Sequence, residues 1–75
     1  MALISKFERA GMERARVHGS VDCTYTVFRT AGGQKYIQLN TFGSRNRENP
    51  GKQSQTIQFD EAAVEQLLKI VEREF

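Results

Sequence analysis

The segment "TIQFDEAAVEQLLKIV", residues 56–71, changes its period in the middle. Up to Phe59 apolar and polar residues alternate, and beyond Asp60 the apolar residues recur at helical spacing. A chain with this pattern passes from a strand into a helix with no room for a linker. Asp60 suits the junction, since its carboxylate accepts a helix-terminal N–H and Glu61 favours the positive end of the helix dipole. Val64, Leu67, Leu68, Val71 and Phe75 then form a stripe that faces a core. Ala63 and Ile70 widen this stripe beyond what one small sheet needs. No Gly or Pro interrupts the segment, so the spacing predicts a helix over 60–75.

Three further stretches read as strands. In "VDCTYTVFRT", 21–30, Val21, Cys23, Tyr25 and Val27 share one face, while Asp22, Thr24, Thr26 and Phe28 share the other. "AGGQ" supplies a hairpin reversal. "KYIQLNTF", 35–42, returns with Ile37 and Leu39 inward, and Tyr36, Gln38, Asn40 and Phe42 outward. "QSQTIQF", 53–59, places Ile57 and Phe59 inward and Thr56 and Gln58 outward. Upstream, "ALISKFER" reads as a strand or one turn of helix, and "AGMERARVHGS" as a connector with a short strand at Ala15–His18. The expectation is a single α+β domain over 1–75: an extra strand or arm at 1–14, an antiparallel sheet at 15–59 and a helix at 60–75.

A chain of 75 residues buries only about 60% of its unfolded surface. Small domains gain support from disulfides, a metal or a second subunit. Cys23 is alone and there is one His, so neither an internal disulfide nor a zinc set can form. A homodimer is therefore expected, with Ala63, Leu67, Ile70 and Phe75 at its interface. No signal-peptide run or membrane span is visible, and a lone cysteine fits a reducing, cytoplasmic (or nucleoid-associated) setting. Charge is divided unevenly. Residues 1–59 hold nine Lys/Arg against four Asp/Glu (+5), and residues 60–75 hold two against five (−3). The basic part is the predicted sheet, which hints at an anionic partner.

The outward face of that sheet carries Thr24, Thr26, Phe28, Tyr36, Gln38, Asn40, Phe42, Thr56 and Gln58. Arg29, Lys35, Arg45, Arg47 and Lys52 lie around its edges and loops. Single-stranded nucleic acid suits this mixture: bases stack on Phe and Tyr, amides and hydroxyls meet base edges, and cations follow the phosphates. The bland alternatives are a solvated face of good strand formers, or a face that docks a protein partner.

The order "CTYTVFRTAGGQKYIQLNTF", a basic loop, then "NPGKQSQTIQFDEAAVEQLLKIV" resembles the transcriptional positive cofactor family of single-stranded DNA-binding proteins, related in architecture to the Whirly proteins. The resemblance covers about residues 15–73 and rests on "YIQLNTF", "PGK", "TIQF" and the helix, in order and spacing. It implies a homodimer of curved four-stranded antiparallel sheets, in β-β-β-β-α order, that holds single strands along the sheet. By position it assigns roles in binding to Phe28, Asn40, Phe42 and Lys52. Asn40 stands where the family often has Arg, and Ser54 and Gln55 where it often has a basic residue and Gly. Fewer charges at the centre of the face imply weaker binding or a different partner.

Other chemistry is weakly signalled. His18 has no acid or nucleophile nearby, Cys23 is expected on the buried face as a small apolar residue, and the helix carboxylates read as a solvated surface. Gly32-Gly33 precedes a strand, so it is a turn and not a phosphate cradle. No acid–base pair, metal set or cofactor site can be assembled, and no enzyme is expected.

Overall fold

The computed structural model describes residues 1–11, 15–43 and 53–75. Four strands and one helix follow in chain order: β1 (Ala2–Ile4), β2 (Cys23–Arg29), β3 (Lys35–Phe42), β4 (Gln53–Asp60) and α1 (Glu61–Glu74). They build one sheet in the order β1-β4-β3-β2. β2, β3 and β4 are antiparallel, as alternation and the hairpin signal predict, whereas β1 runs parallel to β4. The sheet is therefore mixed, which corrects the all-antiparallel expectation. The short strand expected at Ala15–His18 does not form, and of "ALISKFER" only its first three residues pair.

The β2–β3 reversal is closed by Thr30 and Gln34, with Thr30 N–H donating to the Gln34 carbonyl and Gly33 N–H to that of Thr30. Gly33 sits at φ 83°, the left-handed position of a three-residue hairpin loop, which only glycine adopts without a Cβ penalty. At the other end of the sheet, pairing slips between Thr41 and Phe42, where Thr41 faces Gln55 but Phe42 faces Gln53. α1 starts where it is predicted to start. The Asp60 carboxylate accepts from Ala63 N–H at 2.9 Å. The Ser5 hydroxyl, followed by the amides of Ala63 and Ala62, holds the Asp60 carboxyl below its ordinary value.

Register sorts the side chains into two faces. One carries the rows Tyr25–Leu39–Ile57–Ala2 and Val27–Ile37–Phe59–Ile4. The helix lies on this apolar face, where Val64 joins Val27, Ile37 and Phe59 around a cleft of about 330 Å³. Residues 5–9 run along the helix. Gln66 accepts from Phe7 N–H at 2.9 Å and donates to the Ser5 carbonyl at 3.0 Å. Phe7 stacks on Phe59 with ring centroids 6.1 Å apart, and Arg9 pairs with Glu74 at 2.8 Å. These contacts explain why β1 is parallel. Its C-terminal end must lie where β4 becomes helix, so both strands run the same way. Gln66 falls outside the Val64–Leu67–Leu68–Val71 stripe in the sequence, where helical spacing would leave it open, yet it is the clamp for this arm.

Coverage of the apolar face is incomplete. Ala63 is fully buried, yet Tyr25 is 72% exposed, Val27 51% and Leu68 60%.

Candidate nucleic-acid interface

The opposite face is built by the alternate residues of the same three strands. Its rows are Thr24–Asn40–Thr56, Thr26–Gln38–Gln58–Leu3 and Phe28–Tyr36–Asp60, the last ending on the carboxylate that caps α1. Thr26, Phe28, Tyr36, Gln38, Asn40 and Gln58 therefore come together on one surface, as parity predicts. Phe42 follows Asn40 on the same side of β3 and is half-buried. Leu3, delivered by the parallel strand, adds an apolar residue that alternation within the antiparallel strands could not reveal.

The amides and hydroxyls on this face are linked. Gln58 Nε2 donates to Gln38 Oε1 at 2.9 Å, and Gln38 Nε2 donates to Asn40 Oδ1 at 3.1 Å. Thr56 Oγ1 donates to the same Asn40 oxygen at 3.0 Å. Such a ladder fixes the rotamers of three long side chains before any ligand arrives. It spends the Asn40 oxygen on two donors, while Asn40 Nδ2, a donor, and Gln58 Oε1, an acceptor, take no part in it. Thr56, at the end of the ladder, is only 9% exposed.

Beside the ladder, Phe28 and Tyr36 stack on each other, with centroids 5.5 Å apart and ring planes 25° from parallel. The sequence offers them as two separate aromatic sites. Their directly opposed register makes them one platform. Next to it stand neutral hydrogen-bonding groups and, across from Tyr36, the helix-capping carboxylate of Asp60, an arrangement able to stack a planar ring and meet its polar edge.

The cations are placed differently from expectation. Arg29 and Lys35 pair with each other and share the parity of Val27 and Ile37, so they belong to the apolar face. Lys35 lines the cleft there together with Glu61 and Glu65. Arg45, Arg47 and Lys52 lie outside the described residues. Among the described residues, no Lys or Arg belongs to the rows of the polar face. Of the residues expected at a dimer interface, Ala63 is spent inside the protomer, Ile70 is half-buried, and Leu67 and Phe75 are exposed. Leu68 and Val71 are exposed as well, so of the five residues expected to face a core only Val64 is half-buried, which corrects that expectation.

Among the described residues no group of three or more His, Cys, Asp or Glu is placed to hold a metal ion. No helix among them is long and apolar enough to cross a membrane. Comparison with protein-family models, curated proteins and solved structures finds no match to this chain.

Proposed function

We propose that this chain binds single-stranded nucleic acid, DNA in preference to RNA, on the face carried by Thr26, Phe28, Tyr36, Gln38, Asn40 and Gln58. Recognition has little sequence preference, because a stacking platform accepts any base. The protein works as a homodimer in an accessory role in transcription, replication or repair. The observation that carries this reading is the stacked Phe28–Tyr36 pair beside the Gln58–Gln38–Asn40–Thr56 ladder. Order and spacing from Cys23 to Val71, which resemble the positive cofactor family, add support.

A second reading is favoured by one observation, the lack of described cations on that face. Without phosphate partners, the same platform and amides suit a protein surface. Fluorescence anisotropy of a labelled oligonucleotide at several salt concentrations separates the two. If Arg45, Arg47 and Lys52 contact phosphates, log affinity falls against log salt with a slope of about −2, roughly −0.7 per contact for single strands. Replacing Arg45 and Arg47 by alanine then flattens the slope. Absence of binding at low salt overturns the nucleic-acid reading and leaves the protein-docking one.

A further inference from the structure

The two edges of the sheet are unequal. β1 is three residues long, short enough to be a poor template for another strand. β2 has seven residues, rich in Thr, Tyr, Val and Phe, with no proline or bulge. Its hydrogen-bonding direction follows from two contacts. Phe42 N–H donates to the Asp22 carbonyl at 3.0 Å, and Thr30 N–H to the Gln34 carbonyl at 2.9 Å. In an antiparallel pair the bonded positions alternate, so Asp22, Thr24, Thr26, Phe28 and Thr30 turn their backbone groups toward β3. Cys23, Tyr25, Val27 and Arg29 turn theirs outward, to the edge that no other described strand pairs. Tyr25 and Val27 also expose 72% and 51% of their surface.

We propose that this edge is the seam of a homodimer, in which β2 of two copies pairs antiparallel about a two-fold axis at Thr26. The strand is self-complementary in that register. Cys23, Tyr25, Val27 and Arg29 face Arg29, Val27, Tyr25 and Cys23 of the second copy, forming about eight backbone hydrogen bonds. The neighbouring pairs are Thr24 with Phe28 and Tyr25 with Val27, both aromatic against β-branched, a favourable cross-strand combination. No like charges meet, because Arg29 faces Cys23. The pairing joins two sheets edge to edge, so the Gln58–Gln38–Thr26 row continues into its own copy and the polar face doubles in length. It rests on the edge alone and needs no nucleic acid.

The register gives a specific test. Thr26 meets its own copy in a non-bonded pair with Cα atoms about 4.5 Å apart, within the roughly 4.4–6.8 Å that a disulfide spans. In a Cys23→Ser background, Thr26→Cys is expected to oxidise to a covalent dimer that dithiothreitol reverses, whereas Val27→Cys, which faces Tyr25, is not. Light scattering without nucleic acid should give the unmodified protein a mass near twice 8.6 kDa. Val27→Lys should halve that mass and leave the circular dichroism spectrum unchanged, since Val27 is exposed within the protomer. Three results overturn the proposal: a monomer at high micromolar concentration, equal cross-linking at positions 26 and 27, or dissociation by Leu68→Lys but not Val27→Lys. A monomer that still binds oligonucleotide would remove the seam and keep the binding function.

Discussion

Phe28 and Tyr36 provide the sharpest test of how the polar face works. Their rings are 5.5 Å apart and nearly parallel, so a base that stacks on one is supported by the other. Stacking of a base on an aromatic side chain contributes about 1–3 kcal/mol. If the residues were independent sites, removing both would cost roughly 2–6 kcal/mol. As one platform, Phe28→Ala, Tyr36→Ala and the double variant should each lose about 1–3 kcal/mol, with a coupling of the same size, about 1–3 kcal/mol, in the cycle. A tenfold change in Kd is about 1.4 kcal/mol, so anisotropy titration with a labelled oligo-dT resolves the difference. Loss of the pair also removes a cross-strand contact worth about 0.2–1 kcal/mol. Thermal melts therefore accompany each titration, to confirm that the variants are folded at the assay temperature. The slope against salt should stay unchanged, because neither ring carries charge. Strictly additive losses would refute the single platform, and unchanged affinity in both single variants would refute stacking there.

Other expectations follow from the N-terminal arm and the helix start. Gln66→Ala removes the acceptor of Phe7 N–H and the donor to Ser5. At about 0.5–1.5 kcal/mol per bond it should cost roughly 1–3 kcal/mol. Each kcal/mol corresponds to about 4–8 °C in Tm for a domain of this size. Melting and hydrogen exchange at Phe7 read this, and an unchanged Tm with unchanged Phe7 protection would contradict the clamp. Asp60 has a folded pKa below its ordinary value of 3.8, so its contribution is present above that value and is lost as pH falls through the folded pKa. Asp60→Asn should flatten this acid limb of the stability curve, and an unaltered limb would assign the acid sensitivity elsewhere.

Much of the fold is legible in the residues because β2, β3, β4 and α1 repeat with clear periods. The two-residue period assigns Ile37, Leu39, Ile57 and Phe59 to one face and Tyr36, Gln38, Asn40 and Gln58 to the other. The same parity assigns Arg29 and Lys35 to the apolar face, although their charge draws them into a reading of the polar surface. β1 is less legible. Three residues hold no period, and their direction is set by the contacts of Ser5 and Phe7 with Gln66, more than fifty positions away. Helical spacing sends Gln66 outward, and nothing local announces that an arm covers it. The ladder is likewise a tertiary property: alternation shows that the amides share a face, but register decides that Gln38 reaches both Gln58 and Asn40.

The central claim is that a single strand lies on the polar face, and the side-chain amides of Gln38, Asn40 and Gln58 report on it directly. In a ¹⁵N-labelled sample titrated with oligo-dT, their NH₂ resonances and the backbone amides of Thr26, Phe28 and Tyr36 are expected to shift together and to saturate. Resonances of Leu39, Ile57 and Val64 on the apolar side should stay in place. Saturable shifts on the apolar side with the ladder amides unmoved, or no shifts at all at low salt, would contradict the account.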